Sequence, residues 1–254
     1  MRKNLMKRIT SFAVATAVCL SAFVVPAAAD VTLNKDLTLY LIPNTHLDTA
    51  WQHPFPQVAN DPSMGIRAMY RNSTSALSQG DYRFTTSASA HLKMLKDYYN
   101  DDNPDANRYW ALTRQLVDEG KMDLAGGQVV EPDLNIPSGE ALVRQSLYAQ
   151  HFFSENFTRD GEPYVAKAGM VPDVFGFSGQ LPQILKKSEM KYFVTSKVNW
   201  NGNGDGGGTA IGSTYENWRP KAQRDADIQY WQALDGESRV LSYFLQNDYN
   251  NTNP

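Results

Sequence analysis

Residues 41–51 read LIPNTHLDTAW, and they place an imidazole and a carboxylate two residues apart just after an apolar run, Leu37 to Ile42. In extended backbone, side chains at i and i+2 share one side, so His46 and Asp48 converge on one region of space. A strand tip that only had to turn would use Gly, Asn or Ser. Two readings stand at this point: a site for a divalent cation, or a cap with ordinary surface hydrogen bonds. The pair alone does not choose between them.

More polar residues follow the other strand-like segments. "VVEPDLN" carries Glu131 and Asp133, "GMVPDVFGFSGQLPQIL" carries Asp173, and "YFVTSKVNW" carries Lys197 and then Trp200. In parallel β/α architectures, ligands bind at the carboxyl ends of the strands. Side chains far apart in sequence would therefore meet at one mouth. One nitrogen and two carboxylates (His46, Asp48, Asp173) make a ligand set that suits Zn²⁺ with a further donor or open positions, and less specifically Ca²⁺ or Mn²⁺. Each residue also has a plainer role open to it. Asp173 would cap a helix starting near Gly179, Glu131 and Asp133 would pair with Arg144, and Trp51 would be core instead of a stacking surface for a sugar. His53, His91 and His151 lack an acid at ligand spacing and read as structural or surface residues. The glycine-rich run 202–212 lacks the Lys-Ser/Thr ending of a phosphate loop.

The elements that have to position these groups alternate. Helical spacing covers Met64–Ser78, Ser89–Asn100, Asp105–Gly120 and Gln180–Glu189. Strand-like runs cover Tyr82–Thr86, Met122–Val130, Tyr164–Val171 and Tyr192–Lys197. Ser138 is an N-cap for a long amphipathic helix to Phe157, with Glu140 in its first turn, where the helix dipole favours an acid. "IQYWQALDGESRVLSYF" reads as two strands around Asp235-Gly236. This order predicts an α/β fold: a parallel (β/α) barrel-like catalytic domain, incomplete at the C-terminus, because five units are fewer than a closed barrel needs.

The first residues read as an export signal. Arg2, Lys3, Lys7 and Arg8 precede an apolar run that ends on Ala27-Ala28-Ala29, so residues 1–29 are assigned as a signal peptide and 30–254 as the exported domain, periplasmic or extracellular. Of the chain's 24 basic and 27 acidic residues, four basic and no acidic ones lie in 1–29, which leaves 20 against 27. A net charge of −7 argues against nucleic acid or an anionic membrane surface as partner, and no membrane anchor is expected once the signal is removed. The single cysteine, Cys19, leaves with the signal.

Three blocks, "HLDTAW", "GGQVVEPDLNIPSGEALVRQ" and "PDVFGFSGQLPQILKKSEMKYFVTSKVNWN", together resemble the catalytic domain of the α-mannosidases of glycoside hydrolase family 38, in the family's order and over nearly all of residues 30–254. The resemblance implies a retaining exo-α-mannosidase with one Zn²⁺, acting on mannose-containing oligosaccharides or glycans. It implies His46, Asp48 and Asp173 as metal ligands, Asp173 also as the nucleophile that forms a covalent glycosyl-enzyme, and Trp51 and Lys197 as substrate-binding residues. Departures accompany it. Relatives supply a fourth ligand from a downstream histidine, and none follows His151 here. Val129 stands where many relatives have tryptophan. The general acid is expected beyond Pro254, so the chain reads as a fragment with reduced or no activity alone. A metal-dependent polysaccharide deacetylase and a non-catalytic carbohydrate-binding remnant are the alternatives.

Overall fold

The computed structural model describes residues 43–51, 53–61, 63, 65–98, 104–196 and 228–244, all within one compact unit. The assigned signal, the run Leu37–Ile42, Lys197, Trp200 and the glycine-rich stretch lie outside the described residues. No described helix is long and apolar enough to cross a membrane.

In chain order the elements are β1 (Asn44–Thr45), α1 (Phe55–Asn60), α2 (Gly65–Gln79), β2 (Phe84–Ala88), α3 (Ser89–Tyr98), α4 (Pro104–Asp118), β3 (Met122–Gln128) and α5 (Gly139–Asn156). A short hairpin, β4 (Thr158–Arg159) with β5 (Glu162–Pro163), follows. After it come β6 (Ala168–Met170), α6 (Leu181–Lys187), β7 (Tyr192–Thr195), β8 (Ile228–Gln232) and β9 (Arg239–Phe244). The predicted alternation is therefore present, with boundaries shifted by a few residues. Two elements were not expected. Helix α1 begins at Phe55 with Pro54 as its N-cap, and Pro56 sits in its first turn, where proline is tolerated. The β4–β5 hairpin has strands of two residues, too short to show any alternation.

The strands form separate sheets where one barrel was expected. β1, β2 and β3 make a parallel three-stranded sheet, while β6, β7, β9 and β8 make a mixed one in which only the β8–β9 pair is antiparallel. β3 and β6 lie side by side without a ladder between them. No closed barrel exists among the described residues. A parallel bridge between Leu134 and Phe177 connects the segments that leave β3 and β6.

The core lies on the helix-facing sides of these sheets. Helix α2 buries Ile66, Tyr70, Thr74 and Leu77, a stripe at spacings of four, four and three. Helix α5 buries Leu142, Ser146, Ala149 and Phe153, and it is capped as expected: the Ala141 N–H donates to Ser138 Oγ at 3.3 Å, with Glu140 in the first turn. Around the second sheet, Phe177, Phe193 and Trp231 pack as a mutual aromatic cluster with ring centroids 5.3 to 6.1 Å apart.

The feature that matters most for the site is the Gly126-Gly127 pair. The β2–β3 register runs Thr86 against Leu124 and then Ala88 against Gln128, so β3 bulges by two residues. A Cβ on Gly126 would sit 1.2 Å from the Ser87 carbonyl oxygen, and Gly127 adopts φ +62°. Only glycines admit this close approach, which redirects the chain as it leaves the sheet towards Glu131. We predict that Gly126→Ala lowers unfolding free energy by at least about 3 kcal/mol. Gly120→Ala, at φ +70° with open space around its Cβ, should cost only about 1 kcal/mol. Equal urea midpoints for the two variants would refute the bulge account.

Candidate active site

Three parallel strand ends deliver the central groups. His46 follows β1, Ser87 lies near the end of β2, and Glu131 follows the β3 bulge. The His46 ring and a Glu131 carboxylate oxygen are 2.8 Å apart through Nδ1 and Oε2, and the other Glu131 oxygen accepts a hydrogen bond from Ser87 Oγ at 2.6 Å. Where Glu131 accepts in this contact, the proton sits on Nδ1 of His46. Both partners are largely buried, with side chains 12% and 9% exposed.

The other face of the same ring meets the two remaining predicted ligands. His46 Nε2 lies 3.5 Å from Asp48 Oδ1 and 3.6 Å from Asp173 Oδ2. The structure therefore brings His46, Asp48 and Asp173 together, as their positions after strand ends suggested. Burial alone would lower the His46 pKa. The Glu131 hydrogen bond and charge, with Asp48 and Asp173 adding to them, outweigh it and raise the pKa above the ordinary histidine value.

Asp173 is positioned by a second set of contacts. Its predecessors extend β6: the Val171 N–H donates to the Val194 carbonyl at 3.0 Å, while the Thr195 and Ser196 hydroxyls donate to the carbonyls of Val171 and Pro172. The "VTS" at the end of β7 thus holds the backbone that presents Asp173. In "DVFGF", Val174 and Phe177 turn into the core while Phe175 is 55% exposed at the cleft. Asp173 is not a helix cap, because α6 starts at Leu181 with Gln180 before it.

An open cleft of about 840 Å³ lies over this group, walled by His46, Asp48, Trp51, His91, Glu131 and Asp173 among others. Trp51 is 74% exposed on its rim, which excludes the core role for it. No lysine or arginine is among the described lining residues. Lys197, expected to bind substrate, lies outside the described residues.

Several plainer readings resolve. Arg144 pairs with Glu140 and Tyr148, not with Glu131 or Asp133. Asp133 instead accepts from the backbone of Asn135 and Ile136, closing the turn after the site. His151 does have an acidic neighbour, Glu155, one helical turn along at 3.3 Å. Sequence reasoning placed Glu131 near the site but missed its contact with His46, since the two are 85 positions apart. It also missed Ser87, Thr195 and Ser196, whose hydroxyls show no pattern in sequence.

The donors suit a cation by a geometric test. Two ligands each about 2.1 Å from a tetrahedral ion lie about 3.4 Å apart, close to the 3.5 and 3.6 Å separations around Nε2. Three carboxylates on one histidine, with no described basic side chain opposing them, also favour positive charge here. Among the described residues, however, no group of three or more His, Cys, Asp or Glu side chains is arranged to hold a metal ion. His46 is the member that Asp48 and Asp173 share.

The cleft lies at the carboxyl edge of parallel strands, where α/β folds place their ligand sites, and exposed aromatics flank it. Residues 36–253 match the glycosyl hydrolases family 38 N-terminal domain, and the chain belongs to that family. It is 31% identical over 215 residues to alpha-mannosidase 2C1 of Mus musculus, which covers 83% of this chain and 17% of the relative. Over 163 residues it is 32% identical to the alpha-mannosidase of Saccharomyces cerevisiae, covering 64% and 14%. Alpha-mannosidase G of Dictyostelium discoideum is 27% identical over 165 residues, covering 64% and 14%. The chain thus spans less than a fifth of the length of these relatives. The family assignment sets the deacetylase reading aside.

His91, on α3, is fully buried beside the cleft, and burial pushes its pKa down to about 4 against a hydrogen bond that the ring donates to the Leu47 backbone, with His46 adding to the lowering. The folded ring thus holds its proton less readily than the unfolded one, whose pKa is about 6.5. Its stabilising contribution is complete above about pH 6.5 and is lost as pH falls towards 4, a loss of about 3 kcal/mol. Urea unfolding across that window should show a shallower acid slope in His91→Gln than in the wild type. An unchanged slope would rule out His91 as the source.

Proposed function

We propose that this chain carries the nucleophile and metal-binding half of an exported, retaining α-mannosidase that hydrolyses terminal α-linked mannose in glycans or mannan. The observation that carries the reading is the convergence of His46, Asp48 and Asp173 within a family 38 N-terminal domain. The mannoside specificity is supported by the names of the relatives, each an alpha-mannosidase. The two sheets are read as arcs of one barrel-like domain, supported by β3 and β6 lying side by side.

His46, Asp48 and Asp173 would hold a Zn²⁺ ion, which when bound supplies positive charge for sugar hydroxyls and for the acidic cluster. Asp173 attacks the anomeric carbon, forming a carbon–oxygen ester bond as the bond to the leaving sugar oxygen breaks. Water then attacks the same carbon, releasing mannose and restoring the carboxylate. Trp51 and Phe175 present apolar faces to the ring. Glu131 has one hydrogen-bond contact on each oxygen, from His46 and from Ser87, which suits a positioning role better than proton donation to the leaving oxygen. Residues 1–29 act as the export signal, which N-terminal sequencing of the secreted product would test by a start at Asp30.

The test is turnover of an aryl α-mannoside by this 254-residue chain and by the longest in-frame product that contains it, each with Zn²⁺ or with chelator. We expect chelator-sensitive turnover, lost by at least about 10³-fold in Asp173→Ala. His46→Ala should lose both Zn²⁺ and turnover. Substantial activity in Asp173→Ala would remove the nucleophile assignment. Activity in neither product, with Zn²⁺ still bound, would favour a non-catalytic carbohydrate-binding role.

A further inference from the structure

We propose that Glu131 is a positioning residue, held by Ser87, that fixes the tautomer and orientation of His46 so that Nε2 faces Asp48 and Asp173 with its lone pair. The metal reading above supplies what that lone pair would meet. The positioning itself rests only on contacts among these side chains.

The argument runs through both carboxylate oxygens. Oε2 lies 2.8 Å from His46 Nδ1, and Oε1 accepts from Ser87 Oγ at 2.6 Å. With Nδ1–H committed to a carboxylate, a neutral imidazole carries no proton on Nε2. That nitrogen points away from Glu131 and lies near the two aspartates. Other roles for Glu131 fail on geometry. A single ion does not reach both ring nitrogens, so Glu131 is not a co-ligand with Nε2. Arg144 is engaged by Glu140 and Tyr148, so Glu131 is not half of that ion pair. Its side chain is only 9% exposed, and each oxygen already has a partner in His46 or Ser87. A carboxylate behind a ligating histidine also makes the opposite nitrogen a stronger donor, and losing such a partner weakens metal affinity about 10- to 100-fold.

Two measurements on the full chain test this. The first needs no metal. Long-range ¹H–¹⁵N correlation spectra report imidazole tautomers directly, and the chain has only four histidines. Under alkaline conditions that keep the rings neutral, the signal lost in His46→Ala should show the Nδ1–H tautomer. In Glu131→Gln the Nε2–H form should gain population, with Ser87→Ala intermediate and Glu131→Asp closer to wild type. The second is Zn²⁺ affinity by competition with a chromophoric chelator, expected to fall about 10- to 100-fold in Glu131→Gln and less in Glu131→Asp. If Glu131→Gln does not fold, Ser87→Ala and Glu131→Asp carry the same readouts. A wild-type Nε2–H tautomer, or unchanged tautomer and affinity in a folded Glu131→Gln, overturns the proposal while the family reading stands. No Zn²⁺ binding by the wild type, with His46 still Nδ1–H, overturns the metal reading and supports the positioning role.

Discussion

A buried carboxylate must be matched on both oxygens or it destabilises the fold by several kcal/mol. Glu131 meets that demand with Ser87 on one side and His46 on the other. These three residues lie at or just beyond the ends of three adjacent parallel strands. The constraint therefore works across the sheet: satisfying one carboxylate sets the separation of three chain segments at their carboxyl ends. It also orients the imidazole, because a ring with one nitrogen committed to Glu131 has its other nitrogen aimed at Asp48 and Asp173.

Everything nearby serves that arrangement. The Gly126-Gly127 bulge exists because Glu131 has to leave β3 at a point where an ordinary residue would collide with the Ser87 carbonyl. The opposite wall has its own anchors. The Thr195 and Ser196 hydroxyls engage the carbonyls that precede Asp173, and Phe177 pins the far side of the same loop in an aromatic cluster. The Leu134–Phe177 bridge then ties the segment after Glu131 to the segment after Asp173. Two separate sheets thus share one short connection beside the cleft, and that connection contributes to holding Asp173 near His46.

The legible part of this site in the sequence is the part that depends on local pattern. His46 and Asp48 stand out because they follow an apolar run where turn residues are the ordinary choice, and Asp173 because it follows another strand-like segment. Ser138 and Glu140 announce a helix start by their spacing, and Asp235-Gly236 announces a hairpin. The Glu131–His46 contact has no local signature, since it depends on a bulge and on strand neighbours far apart in sequence. Helix α1 is only six residues long and holds a proline in its first turn, so it carries no helical periodicity to read. The barrel expectation followed from strand–helix alternation, which reports connection order but not which strands share a ladder. The antiparallel β8–β9 pair and the gap between β3 and β6 are decisions of packing.

The cleft combines two features that are each unfavourable without a ligand. Asp48, Glu131 and Asp173 crowd one histidine, and like charges brought together in a partly buried site repel. Trp51 and Phe175 leave large apolar surfaces in water beside them. The structure tolerates both because the Glu131 contacts with His46 and Ser87 are backed by contacts beyond the site: the glycine bulge, the Thr195 and Ser196 hydroxyls and the Phe177 cluster. A ligand that relieves both at once needs positive charge for the acids and alternating hydroxyl and apolar faces for the aromatics. The cation-bound sugar of the proposed function would have that composition, and by binding only the folded chain it would add its binding free energy to the stability of the cleft that the acids otherwise lower.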